Sequence, residues 1–240
     1  MGATTLMFAA SALLASAGFA TAVDAAPSGR NAPNLAACRH LKPVEGTEIQ
    51  RTGPIAVPAA WSGIARTDMT RIAFSTLGGR TLCVDASWVE DIHEPELSAD
   101  GRFARFEWYG YETGGYFVVD RAGNGVVFDT GDRPVPSPSG KLAAVVQYSE
   151  AGFGSLEGFG VWQVGDPPMR EQARLTFPEG LTDWRMDGWH GDACVLLSAV
   201  RFDDLPENEG DVPRALRQQH VATASRGKWR IAAGSACKGA

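Results

Sequence analysis

The feature that most constrains this chain is a short repeat. Ser98-Ala99-Asp100-Gly101-Arg102-Phe103-Ala104 returns 39 residues later as Ser137-Pro138-Ser139-Gly140-Lys141-Leu142-Ala143. The likeness continues downstream. Tyr109 aligns with Tyr148, each followed by a Gly-rich stretch holding an aromatic and a Glu, and Tyr116-Phe117-Val118-Val119 then aligns with Phe159-Gly160-Val161-Trp162. A third, degenerate copy starts at His190-Gly191-Asp192 and runs into Cys194–Ala199. A unit of roughly 40 residues with several short strands has the length of a propeller blade.

The rest of the sequence agrees with a strand-built unit. Runs rich in β-branched and aromatic residues alternate with Gly, Pro, Asp and Ser clusters, and helical periodicity is nearly absent. Strands are expected at Arg71–Ser75, Thr81–Asp85, Phe103–Tyr109, Tyr116–Asp120, Val126–Asp129, Leu142–Tyr148, Gly160–Val164, Ala173–Thr176, Cys194–Arg201, His220–Ala224 and Trp229–Ala232. One short helix is expected at Val212–Gln218, where Pro213 suits a first turn, with an acidic loop before it from Asp203 to Asp211. Asn124-Gly125 is a hairpin signal, because a type I′ turn needs positive φ at both central residues.

The two Ser-x-x-Gly turns resemble the Ser-Pro-Asp-Gly-Lys turn of WD-repeat-like β-propellers of the Tol-associated periplasmic type. The resemblance covers about residues 70 to 165 and extends weakly to 235. It implies an all-β, partial propeller-like array of antiparallel sheets, with repeats near 85–125 and 126–165 inside one β-rich domain, 51–240. The chain has room for about three or four blades, fewer than closed propellers carry; a β-sandwich is the alternative. If the repeat is structural, Gly101 and Gly140 occupy equivalent tight turns, and Phe103 and Leu142 both point inward. Arg105 then falls on an inward position, where a guanidinium needs a partner, so the alternation is expected to shift onto Ala104 and Ala143.

The N-terminus reads as an export signal over residues 1–25. Leu6 to Phe19 contains only Ala, Leu, Met, Phe, Ser and Gly, and Ala20-Thr21-Ala22 and Val23-Asp24-Ala25 offer small residues at two cleavage points. Residues 26–50 follow as an extended, Pro-punctuated lead-in. A periplasmic or secreted product is expected, with no integral membrane segment once the signal is removed. Cys38, Cys83, Cys194 and Cys237 fit that address, an even number suited to an oxidising compartment. Sequence-local loops favour Cys38 with Cys83 and Cys194 with Cys237; meeting of the two chain ends would instead pair Cys38 with Cys237.

Composition narrows the partners. The formal net charge of −6, with no basic cluster beyond a dipeptide, excludes a nucleic-acid or anionic-membrane partner. No Gly-rich phosphate loop, dinucleotide fingerprint, nucleophile elbow or metal-ligand spacing occurs, so no cofactor, metal or catalytic residue is assigned. The stretch Glu90-Asp91-Ile92-His93-Glu94-Pro95-Glu96 reads as a solvated acidic loop and lacks the spacing of an EF-hand. His190, between Asp187 and Asp192 in a Gly-rich turn, is the one place where a carboxylate can fix an imidazole tautomer. It anchors the alternative function, a small hydrolase or metal-dependent enzyme. The preferred function is a non-enzymatic binding or scaffold domain contacting a protein, peptide or glycan. Its candidate surface is the aromatic loops: Trp108, Tyr109, Tyr111, Tyr116, Phe153, Phe159 and Trp162, with Glu112 or Glu157 beside them.

Overall fold

The computed structural model describes residues 32–42, 51–149, 152–206 and 212–237. The expected signal segment and both cleavage points lie outside these residues.

The strands form four antiparallel sheets, each made from consecutive segments of chain. The first holds β1 (Ala65–Thr67), β2 (Arg71–Ser75) and β3 (Thr81–Asp85). The second holds β4 (Asp91–Leu97), β5 (Phe103–Gly110), β6 (Thr113–Asp120) and β7 (Val126–Asp129). The third holds β8 (Val135–Pro136), β9 (Leu142–Gln147), β10 (Gly158–Gln163) and β11 (Arg170–Leu175). The fourth holds β12 (Leu181–Trp189), β13 (Cys194–Arg201), β14 (Gln218–Ser225) and β15 (Lys228–Ala233). In every sheet each strand pairs with its neighbour in sequence, so no crossover connection is needed.

Three apolar clusters stack these sheets in series. The first joins sheets one and two around Trp61, whose ring meets Phe74 at 5.2 Å and Phe106 at 5.1 Å, edge to face in both cases. The second joins sheets two and three through Tyr116, Val118, Val145, Trp162 and Met169. The third joins sheets three and four through Phe159, Val161, Val195, Leu197 and Trp229. Both faces of the middle sheets are therefore buried, and β10 (Gly-Phe-Gly-Val-Trp-Gln) reads as a near-continuous apolar run. Among the described residues no cluster joins the first sheet to the fourth. The architecture is all-β, an open, propeller-like array of antiparallel sheets.

The repeat is structural. In the first copy Ser98 N–H donates to Phe103 O at 2.8 Å, Gly101 N–H to Ser98 O at 2.7 Å, and Phe103 N–H to Ser98 Oγ at 2.8 Å. In the second copy Ser137 N–H donates to Leu142 O and Gly140 N–H to Ser137 O, both at 2.8 Å, and Leu142 N–H donates to Ser137 Oγ at 3.3 Å. Gly101 and Gly140 have φ of 68° and 69°, the left-handed region that favours glycine. Each turn joins the first strand of its sheet to the second. Register repeats too: Arg105 pairs Val118 in the second sheet as Ala144 pairs Val161 in the third. Ala104 faces the preceding sheet, and Phe103 and Leu142 face the following one. The third copy closes one residue shorter, with His190 N–H donating to Cys194 O at 2.8 Å and Gly191, next to His190, at φ 63°.

Both disulfides follow the sequence-local pairing. Cys38–Cys83 pins the 3-10 turn Leu35–His40 onto β3, and Cys194–Cys237 pins the chain beyond β15 to the start of β13. Three expectations need correction. Val212–Gln218 is no helix beyond a 3-10 turn at Arg214–Leu216, because the chain must be extended by Gln218 to enter β14. Asp91–Leu97 is strand, not loop: a register shift between His93 and Glu96 accommodates Pro95 on the sheet edge. Within the lead-in, residues 35–40 are 3-10 helical instead of extended.

Candidate functional site

The Gly-rich stretches of the two repeats meet. The tip of the β5–β6 hairpin, Tyr111-Glu112, stands beside the loop that leads from Tyr148 to Glu157. Thr113 Oγ1 donates to Phe153 O at 2.7 Å, and Gly114 and Gly154 form a parallel bridge between the two sheets. Between them opens a cleft of about 510 Å³. Its walls carry Tyr109, Tyr148 and Phe153, its carboxylates are Glu107, Glu112 and Asp132, and no Lys, Arg or His lines it among the described residues. Tyr109, Tyr111 and Phe153 are 46%, 62% and 53% exposed, high values for rings this large.

Local sequence explains the shape. At Gly115 a Cβ would lie 2.7 Å from Trp108 Nε1 and 2.8 Å from Asp129 Oδ1, so only a glycine lets these groups close up beneath the cleft. Asp129 accepts from Gly131 N–H at 3.0 Å, Ser155 Oγ at 2.6 Å and Trp108 Nε1 at 3.3 Å. Burial pushes its carboxyl above the usual range, against the pull of those donors. Gln147 ties the two walls, donating to Gly131 O at 2.9 Å and accepting from Leu156 N–H at 2.6 Å. The cleft is thus held by a satisfied network instead of by mobile side chains.

The aromatic residues named from sequence divide into two groups. Tyr109, Tyr116 and Phe153 line the cleft and Tyr111 stands at its rim, whereas Trp108, Phe159 and Trp162 are buried between sheets. The two glutamates divide likewise. Glu112, at φ 55° on the hairpin tip, faces the cleft. Glu157 closes its own loop, accepting from Gly154 N–H at 2.6 Å and Ser149 N–H at 3.3 Å. Gly131, Asp132 and Gln147 also belong to the site; they sit at strand ends of other segments and carry no sequence signal of their own.

Among the described residues His190 gathers no carboxylate. Asp187 accepts from Ser198 Oγ at 3.0 Å, and Asp192 binds Ser139 in the turn of the preceding sheet, through its N–H at 3.2 Å and its hydroxyl. His93 Nε2 lies 3.0 Å from Asp91 Oδ2 at the exposed edge of β4, with Tyr109 edge-on at 4.9 Å. Glu94 and Glu96 of the same stretch are engaged by Arg133. No family model matches the chain, and no curated protein matches it in sequence.

Proposed function

We propose that this chain is an exported, non-enzymatic binding domain that holds a basic peptide segment of a partner protein in the aromatic cleft. The observation that carries the proposal is the lining: exposed Tyr109 and Phe153 beside Glu107, Glu112 and Asp132, with no cationic side chain among the described lining residues. Aromatic faces and carboxylates together attract Lys and Arg, through cation–π contact and charge-assisted hydrogen bonds. The net charge of −6 favours encounter with such a segment. Export is supported by the two disulfides and by the apolar N-terminal run with its small-residue cleavage points. The equivalence of the Ser-x-x-Gly turns supports kinship with WD-repeat-like propellers of the Tol-associated periplasmic type, whose blades this array resembles.

The test is fluorescence anisotropy with labelled Lys/Arg-rich, neutral and acidic peptides of one length, with a neutral oligosaccharide as competitor. The basic peptide should bind best and weaken as salt is raised, because the cleft is open to solvent. The Tyr111→Ala/Phe153→Ala double variant should lose about tenfold or more in affinity, as removal of aromatic anchors does. Binding of the oligosaccharide in preference to the basic peptide, or an unchanged affinity in the double variant, would overturn the proposal.

A further inference from the structure

The same interface between the second and third sheets contains a second cavity of opposite character, about 220 Å³ in volume. Tyr116 lines both spaces. Strand alternation builds this one: Phe103 and Arg105 on β5 share a face with Tyr116 and Val118 on β6, and Arg105 pairs directly with Val118. Phe103, Val118, Ala143 and Met169 make a buried apolar wall, and the half-exposed Arg105 and exposed Arg133 stand at its polar side.

Two polar groups at this cavity are only weakly engaged by the fold. Tyr116 is 2% exposed, and its hydroxyl lies beside the Arg133 guanidinium without a well-aligned hydrogen bond. Burial pushes the phenol upward, while the neighbouring Arg133 and Arg105 pull it down and Glu96 adds to the rise. Arg105 is the second group. Its guanidinium lies 5.0 Å over the Phe103 ring and forms a long ion pair with Glu96, 4.0 Å from Oε2 and beyond hydrogen-bond reach. Glu96 is shared with Arg133, which also meets Glu94 at 3.5 Å. Neither glutamate lines the cavity.

We propose that this pocket binds a small monocarboxylate with an apolar body, the carboxylate held between the Arg105 guanidinium and the Tyr116 hydroxyl and the body against Phe103, Val118, Ala143 and Met169. A carboxylate is acceptor-only and so answers both donors at once. An alcohol answers the hydroxyl without the charge, and an ammonium is repelled by the guanidinium. Size agrees: an apolar cavity of about 150 Å³ holds benzene, so this one accepts a single ring or a short alkyl chain.

Octanoate is the probe, with 1-octanol and octylamine as controls matched in chain length. Calorimetric titration is combined with methyl NMR of the intact protein. Octanoate should bind about tenfold tighter than either control, shifting the methyls of Val118, Ala143 and Met169. Tyr116→Phe, which keeps the ring, should weaken octanoate about fivefold to tenfold through the lost hydrogen bond. Ala143→Leu, which fills the cavity, should abolish binding, and Tyr111→Ala/Phe153→Ala at the neighbouring cleft should leave it unchanged. Equal binding of octanol or octylamine, shifts confined to the aromatic cleft, or unaltered affinity in Tyr116→Phe would overturn the assignment. None of these outcomes depends on whether the cleft takes a peptide.

Discussion

The second and third sheets share a turn, a register and an inward pattern, yet they are fastened differently. In the second sheet Asp120 is fully buried and accepts from Arg102 Nε at 3.0 Å and Nη2 at 2.8 Å, from Ala122 N–H at 2.9 Å, and from Met169 N–H across the interface at 2.7 Å. The aligned positions of the third sheet are Lys141 and Gln163. Gln163 donates only to the exposed Asp166, at 2.9 Å. Their second hairpin positions differ as well, a two-residue tip at Tyr111-Glu112 against the long loop from Tyr148 to Glu157. The shared part makes the sheets stack, and the divergent part makes the cleft and the links between sheets. In a repeat array, function belongs to what the copies do not share.

The largest expected effect breaks the stronger fastening. Asp120→Ala leaves Arg102 and the Met169 N–H without their acceptor and should cost about 3 kcal/mol, as removing one partner of a buried pair does. Gln163→Ala, at the aligned but only half-buried position, should stay within about 0.5 kcal/mol. Urea unfolding of both variants checks the ratio, and equal costs would mean the two sheets are held alike. The same carboxylate gives a pH signature. Burial pushes it up, but the Arg102 fork and the two backbone donors prevail and hold it below the usual carboxylate range. A depressed folded value means its stabilisation is present above the unfolded value, about 3.9, and is lost as pH falls through the folded one. Wild type should therefore lose more stability than Asp120→Ala on acidification below about pH 4.

A smaller pair of effects sharpens the likeness. Neither Gly101 nor Gly140 has an obstructing neighbour for a Cβ: the nearest atom to the first is 3.7 Å away, and none lies within 4 Å of the second. Alanine at either site meets only the cost of positive φ, about 1 kcal/mol. The two losses should agree within a few tenths in thermal unfolding. A clear inequality would show that the two turns carry different strain despite their matching bonds.

Much of this frame was legible in the residues. Arg71–Ser75, Thr81–Asp85, Val126–Asp129 and Cys194–Arg201 match the observed strands residue for residue, because each is an unbroken β-favouring run between turn signals. The strands at Asp91–Leu97 and Leu181–Trp189 escaped for one reason. Each carries register shifts, and Glu94, Asp183 and Gly188 take positive φ, so no period of two survives to be read. The aromatic loops announced the cleft, but not its floor. Gly131, Asp132 and Gln147 arrive from segments with no marking of their own. Arg105 was visible as an awkward charge on an inward position. That it borders a cavity with Tyr116 depends on the sheet-to-sheet packing, which no local pattern encodes.

The smallest effect separates the two turns at a single atom. In the first copy the turn is self-contained, Asp100 Oδ1 accepting from Ser98 Oγ at 2.6 Å and Arg102 N–H at 3.0 Å. In the second, Ser139 stands where Asp100 does, and its Oγ accepts from Lys141 N–H at 3.2 Å while the fourth sheet lends Asp192. The hydrogen bonds from Ser139 hold the Asp192 carboxyl below its usual range. The link is exposed, so Asp192→Asn should move Tm by no more than about 1 °C. Amide hydrogen exchange is the sensitive reading, because the Ser139 N–H loses a charged acceptor. It should exchange severalfold faster while the Arg102 N–H is unchanged. The charge swap Ser139→Asp/Asp192→Ser then makes the second turn self-contained like the first. It should slow exchange of the Lys141 N–H below its wild-type rate without help from the fourth sheet, whereas Ser139→Asp alone sets two carboxylates together and should lower Tm. If the swap leaves the Lys141 N–H exchanging as fast as in wild type, the turn depends on the neighbouring sheet for more than a carboxylate, and the two copies are less interchangeable than their bonds imply.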